Sequence, residues 1–287
     1  MAFFEKILSL TLAVWLSSGL ARAQERLLYC NEPERIRTSG SLATSVLEAN
    51  KTYQIFYHSR NDTGRSGEFV MALNGQVGRP LQFSARQGLA DPTSDPPSAG
   101  EQAMARFFSR GSQSFTAQDG TARFSYRLAS AQVASGYLSV TPKSRARLQL
   151  YFGNNASPVP GARCVQVDAP RLDVQIPLSA ENPKQVYRIG VPEGELARTV
   201  DGTYGTQYAF QIDAPQGRRV RVTFSPRGGH AGLVGTLNGE LLRTPIREAT
   251  QTATVFEATV GKKGLLFVTV PYGGVFYPVE LTFALLP

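Results

Sequence analysis

Phe69-Val70-Met71-Ala72-Leu73-Asn74-Gly75 is a run of strand-forming residues closed by Asn-Gly, and a second run, Leu233-Val234-Gly235-Thr236-Leu237-Asn238-Gly239, closes the same way. Asn-Gly is the strongest short hairpin signal because both residues tolerate the positive φ of a type I′ turn. Around these two runs the chain continues in one style. Short segments rich in Val, Tyr, Phe, Thr and Leu recur every ten or so residues, broken by Gly, Pro, Asn and Asp, with almost no helical periodicity. Strands are expected at 53–58, 68–73, 81–85, 122–128, 136–140 and 146–152, and then at 185–189, 208–212, 219–224, 231–237, 252–259, 265–270 and 278–284. The fold class is all-β. So many strands divide better into two β-sandwich domains in tandem than into one core, and the two Asn-Gly runs, one in each half, read as an internal repeat.

The boundary falls where proline gathers. Pro158, Pro160 and Gly161 precede Cys164, and Pro170, Pro177 and Pro183 follow it, which reads as extended connection with limited regular pairing. The expected units are 24–166 and 167–287. One short helix belongs to the first. Ser98 and Glu101 form a capping box, and Met104, Phe107 and Phe108 are spaced to face a core, so 98–108 should plug one end or edge of that sandwich.

Residues 1–23 read as a secretory signal. A short N-region ends at Lys6, an apolar run from Ile7 to Leu20 is too short for a comfortable membrane span, and Ala21-Arg22-Ala23 offers a small-x-small cleavage pattern. Cleavage is expected after Ala23, giving a secreted or periplasmic protein with no later segment able to cross a bilayer as a helix. In that oxidising compartment Cys30 and Cys164, the two cysteines of the chain, are expected to pair. The loop they close is worth on the order of 5 kcal/mol in the chain-entropy account.

The formal charge is +8, and loss of Glu5, Lys6 and Arg22 with the signal leaves the mature chain basic. Basic charge on an exported protein suits anionic partners such as envelope polymers, acidic glycans or lipid headgroups, with no nucleic acid expected; with no run of five basic residues, a solvated face kept soluble by charge is the alternative. Arg219 and Arg221 would share one strand face by period-two geometry, with Arg218 opposite. Ser225-Pro226-Arg227-Gly228-Gly229-His230 has the composition of a small anion nest. Tyr272-Gly273-Gly274-Val275-Phe276-Tyr277-Pro278 invites sugar stacking on exposed aromatics. Arg227, Gly228, Gly229, His230, Tyr272 and Tyr277 are therefore the candidate ligand residues.

Enzymatic motifs are sparse. His58 and His230 are the only histidines, with no zinc-type spacing, so no metal site or cofactor is expected. No Gly-x-Ser-x-Gly elbow occurs, and Asp62 with Glu68, or Glu193 with Glu195, read as solvated carboxylates rather than a glycosidase pair. No catalytic residue is assigned. Asn50-Lys51-Thr52, Asn61-Asp62-Thr63 and Asn155-Ala156-Ser157 are formal glycosylation sequons too short to carry weight.

Four segments, Tyr53-Gln54-Ile55-Phe56-Tyr57-His58, the helix from Gly100 to Phe108, Gln132-Val133-Ala134-Ser135-Gly136 and Gly202-Thr203-Tyr204-Gly205-Thr206-Gln207-Tyr208, resemble a group of uncharacterised exported bacterial proteins built of two β-rich domains. That resemblance implies a secreted domain pair and brings no catalytic residues with it. The sequence thus points to an exported, non-enzymatic β-sandwich protein with a structural or interaction role at the cell envelope. A carbohydrate- or polyanion-binding module is the alternative, and a hydrolase on a β scaffold a distant third.

Overall fold

The computed structural model describes residues 25–154, 157–168, 171–191 and 203–287. The signal region, its cleavage point, Asn155, Pro170, Glu193, Glu195 and Gly202 lie outside the described residues. In chain order the elements of the first half are β1 (Arg26–Glu32), β2 (Arg35–Ile36), β3 (Gly40–Leu47), β4 (Tyr53–Asn61), β5 (Gly67–Asn74), β6 (Leu81–Leu89), α1 (Pro96–Ser109), β7 (Gln113–Ala117), β8 (Thr121–Leu128), β9 (Val133–Pro142), β10 (Ala146–Phe152) and β11 (Arg163–Asp168). The second half holds β12 (Arg171–Pro177), β13 (Lys184–Ile189), β14 (Gln207–Asp213), β15 (Arg219–Pro226), β16 (Val234–Leu237), β17 (Glu240–Arg243), β18 (Ala253–Thr259), β19 (Leu265–Thr269) and β20 (Val279–Leu285). All-β with one helix describes the described residues.

The two halves follow one strand plan. The first contains the sheets β1-β4-β9-β6-β7 and β3-β10-β5-β8, and the second contains β12-β14-β19-β16-β17 and β13-β20-β15-β18. In each half the first two strands of the larger sheet, β1 with β4 and β12 with β14, run parallel, and the other matched neighbours are antiparallel. The first half adds β2, β11 and α1. The repeat is genuine in topology, but the two Asn-Gly runs are not its equivalent positions. Phe69–Gly75 lies on β5, whose counterpart is β15, whereas Leu233–Gly239 lies on β16, whose counterpart is β6. Asn238 (φ 51°) and Gly239 (φ 92°) do make the tight β16–β17 hairpin. Asn74-Gly75 does not, because the chain there leaves one sheet for the other and the Gly75 amide bonds the Gly120 carbonyl at 2.8 Å.

Two local expectations need correction. The proline-rich stretch is fully paired on both sides: β11 runs antiparallel to β1, and β12 parallel to β14. Pro158, Pro160 and Pro183 fall between strands and Pro177 is the last residue of β12, so no ladder donor is lost. β11 carries Cys164 beside β1, where it is disulfide-bonded to Cys30 with Cα atoms 4.1 Å apart. The helix begins at Pro96 with Asp95 as N-cap and no side-chain capping bond. Proline supplies the first-turn geometry without needing a donor. Ser98 Oγ instead accepts from Gln102 Nε2 at 3.2 Å, and Glu101 pairs with Arg243 of the second half at 3.6 Å.

β1, β4 and β9 are buried on both faces. One alternation, with Leu28, Cys30, Ile55, Tyr57 and Leu138, packs into the core of the first half. The other, with Leu27, Tyr29, Phe56 and Tyr137, joins α1 residues Met104 and Phe107 in a cluster continuous with the core of the second half. Hence α1 does not plug one sandwich; it sits against β6 and β9 on one side and β16 and β17 on the other. Tyr29, Phe56 and Tyr204 stack across the junction at 5.7 and 6.1 Å, and Tyr204 meets Tyr277 edge-on at 5.6 Å. Such aromatic pairs add about 0.5–1.5 kcal/mol each beyond their burial. Tyr137 Oη donates to the Gly205 carbonyl at 2.9 Å.

The closest approach is at two glycines. A Cβ on Gly100 would lie 2.0 Å from the Gly273 carbonyl oxygen, and one on Gly273 would lie 2.3 Å from His58 Cγ. In a free helix Gly→Ala stabilises by up to about 1 kcal/mol. At Gly100 the sign reverses: Gly100→Ala is expected to destabilise the protein by about 1–3 kcal/mol through overpacking against backbone. Gly111→Ala, which meets no atom within 4 Å, should leave the melting midpoint unchanged. Equal midpoints for the two variants in thermal unfolding would contradict this packing.

Candidate functional site at the junction

Where the second half meets the first, the contact is incomplete and leaves a crevice of about 430 Å³. From the first half it is lined by Asn31, Glu34, Arg35, His58, Arg60 and Val133, with Pro96 and Pro97 of the helix start. From the second half come Tyr204, His230, Gly273, Gly274, Val275 and Phe276. Both histidines of the chain therefore line the same space. The size falls in the range of small-molecule sites.

Each wall has a local reason for its shape. β1 carries an irregularity in its pairing with β11 between Tyr29 and Glu32, a device that re-aims side chains, and Asn31 sits within it. Asn31 is 4% exposed. Its Nδ2 donates to Glu34 Oε1 at 3.2 Å, while its Oδ1 is buried without a hydrogen-bond partner among the described residues. Arg35 on β2 and Arg60 on β4 flank Asp62, at 3.6 and 2.7 Å. Thus two guanidinium groups share one carboxylate.

His58 lies opposite Ser135 in the β4–β9 register, with Nδ1 3.1 Å from Ser135 Oγ. Burial alone lowers its pKa from 6.5 to about 4, so the ring is neutral at physiological pH. The Ser–His contact is not a nucleophile dyad facing the cavity. Ser135 is 1% exposed and stays behind the imidazole, and no carboxylate among the described residues hydrogen-bonds the ring.

On the opposite wall two loops clasp each other. The Phe276 amide donates to the His230 carbonyl at 2.9 Å, His230 Nε2 lies 3.4 Å from the Gly274 carbonyl, and the His230 ring meets Phe276 edge-on at 4.9 Å. Phe276 is left 50% exposed.

Among the expected ligand residues, only His230 lines this crevice. Tyr272 and Tyr277 are not open to a sugar ring. Tyr272 is 0% exposed, held between Gly100 and Gly232, each too close to admit a Cβ. Burial pushes the hydroxyls of Tyr272 and Tyr277 well above the usual phenol range. In the Arg227–His230 segment, the amides of Arg227 and Gly228 are taken up, both donating to the Pro278 carbonyl, at 2.9 and 3.2 Å. Arg227 pairs with Glu280, which Arg188 also approaches, and these partners hold the Glu280 carboxyl below its usual value. Arg219 and Arg221 do share a face, but Glu257 lies between them at 2.5 Å from each. Arg218 precedes the strand and bonds the Leu286 carbonyl.

Phe276 was inside the aromatic segment that the sequence singles out, yet nothing in the sequence separates it from the tyrosines on either side. Asn31, Glu34, Arg35 and Arg60 carry no motif. They become neighbours through the parallel pairing of β2 with β4, which is not legible from spacing.

No helix among the described residues is long and apolar enough to cross a membrane. No protein-family model and no curated protein matches the chain. Among solved structures, it is similar at 11% identity and a TM-score of 0.20 to the PBSX exported protein XepA, covering 86% of each chain. It is similar at 9% identity and a TM-score of 0.19 to a β-porphyranase of glycoside hydrolase family 86 from the human gut bacterium Bacteroides plebeius, covering 84% of this chain and 34% of that one. The chain therefore spans about a third of the porphyranase. A protein assigned as secreted from Parabacteroides distasonis gives 8% identity and a TM-score of 0.14, with coverage of 87% and 83%. Likenesses this slight carry no argument about fold or activity.

His58 gives the site a pH signature. The folded chain holds the imidazole neutral down to about pH 4, whereas the unfolded chain takes up the proton near 6.5. Stability is therefore complete above pH 6.5 and falls as the pH drops toward 4, by on the order of 3 kcal/mol. Denaturant titrations across this window should show that slope, and His58→Gln should flatten it whatever its effect at neutral pH. An unchanged slope in the variant would assign the acid sensitivity elsewhere.

Proposed function

We propose that the chain is an exported, non-enzymatic protein that works at the cell envelope by binding a glycan unit of an envelope polymer in the crevice between its two halves. The observation that carries this reading is the half-exposed Phe276, held edge-on by His230 in a crevice whose other wall is amide, carboxylate and guanidinium. Sugars are bound by that combination: an aromatic face for the ring's C–H groups and planar polar side chains for its hydroxyls. Export is supported by residues 1–23 and by the disulfide, which fits an oxidising compartment.

Two observations weigh on the other readings. A glycosidase needs two carboxylates flanking one bond, and Glu34 is the one carboxylate among the described lining residues. A polyanion-binding strand needs unneutralised cations, and Arg219 and Arg221 share Glu257. Exposed pairs of this kind also weaken with salt.

The test is retention of the mature protein on isolated envelope polysaccharide. Phe276→Ala is expected to weaken retention about tenfold or more, comparable to the loss of a central aromatic anchor, with the melting midpoint little changed because the side chain is half exposed. The double change Arg219→Ala and Arg221→Ala should leave retention within about twofold, as expected for exposed charges. Retention lost with the arginines and kept without Phe276 would reverse the assignment.

A further inference from the structure

Resting on the crevice as the binding site, we infer that its ligand is an uncharged sugar unit, read through its hydroxyls by Asn31 and Glu34 while the ring lies on Phe276. The charge balance of the walls decides against an acidic ligand. Arg35 and Arg60 both face Asp62, Glu34 adds a second carboxylate at the crevice, and His58 is neutral. Asp62 is not itself a lining residue, but it pairs with both arginines, so with Glu34 the two cations are matched by two anions. By contrast, uncompensated arginines would be the mark of an acidic-ligand site.

The unpartnered groups include both kinds: Asn31 Oδ1 is a buried acceptor and Arg60 Nε, ion-paired with Asp62, a buried donor, each without a hydrogen-bond partner among the described residues, and a hydroxyl can serve either. Asn31 spends its Nδ2 on Glu34, which fixes the amide's orientation, and its Oδ1 is buried without a partner. A buried acceptor calls for a donor, and Glu34, bonded on one oxygen by Asn31, has further acceptor capacity. Hydroxyls are donors of the right kind, and two on neighbouring ring carbons can address the two acceptors together. A carboxylate brings no proton to either and would meet Glu34 as a like charge. The volume of about 430 Å³ accommodates one or two sugar rings rather than a long chain, so the recognised unit is a chain end or a short branch.

Calorimetric titration of the mature protein with neutral gluco-, galacto-, manno- and N-acetylglucosamine-type trisaccharides, and with uronic acid counterparts, tests this. A neutral trisaccharide should bind with an affinity that changes less than about twofold between low and high salt, and its uronic acid counterpart about tenfold more weakly. Glu34→Gln should narrow that gap by relieving the like-charge contact. Asn31→Ala should weaken the neutral ligand about tenfold, and since Asn31 is buried its melting midpoint is measured alongside. Glu34 is exposed, so Glu34→Gln stands as the deciding variant if Asn31→Ala does not fold. Equal or tighter binding of the uronic sugars that still depends on Phe276, or a gap unmoved by Glu34→Gln, overturns the inference and leaves the crevice reading standing. Sugar binding indifferent to Phe276→Ala, or binding of no sugar in either set, overturns both.

Discussion

The contact between Gly273 and the His58 ring sets the geometry of everything around it. A loop of the second half reaches across and lays bare backbone on an imidazole of the first, with Gly100 of the helix closing on the same loop from the side. Any side chain at either glycine would hold the halves apart. Because they close, the outer face of the β1-β4-β9 sheet is dry, and strands in one sandwich become buried on both faces. Some polar groups caught there find partners across the strand pairs, His58 with Ser135 and Gln54 Nε2 with Ser139, while Gln54 Oε1 and Asn31 Oδ1 have none among the described residues. The crevice is the part of this junction that the loops do not fill.

Seen this way, the segments whose resemblance to exported bacterial proteins is legible in the sequence have a common place. Tyr53–His58 provides Phe56 and His58 to the junction, the helix from Gly100 provides Met104 and Phe107, the stretch around Ser135 backs His58, and Tyr204 with Gly205 packs from the other side. Their shared character is packing between two sandwiches. The duplication tells the same story from another direction: one nine-strand plan occurs twice, and the helix that joins the halves is an insertion at the β6–β7 connection, where its counterpart has the turn Asn238-Gly239.

Strand identity was legible because period-two patterning and turn residues are local, and each expected strand has a counterpart. β1, β2, β3, β7, β11, β12 and β17 have no counterpart in the sequence pattern. β1 lacks alternation because it is buried on both faces, and β7 is a short, mostly exposed edge strand. The repeat was sensed but misaligned, since Asn-Gly marks a backbone conformation and not a place in a topology. The site was less legible still. Tyr272 and Tyr277 have the composition of a sugar platform, and only the packing of the loop, Tyr272 against Gly100 and Gly232 and Tyr277 against Gly190 and Tyr204, turns these two inward while Phe276 goes outward. Arginine pairs looked like a basic surface because the sequence does not reveal that Glu257, Glu280 and Asp62 each stand between two of them.

The central claim is that the junction is the working surface, and the chain carries its own reporters there, since its two histidines both line the crevice. Two-dimensional NMR of the imidazole resonances during titration with envelope-derived oligosaccharide reads the claim directly. Both histidine signals should shift together, saturating with the same dissociation constant. Binding that saturates by calorimetry while neither imidazole resonance moves would contradict the account and place the ligand elsewhere on the protein.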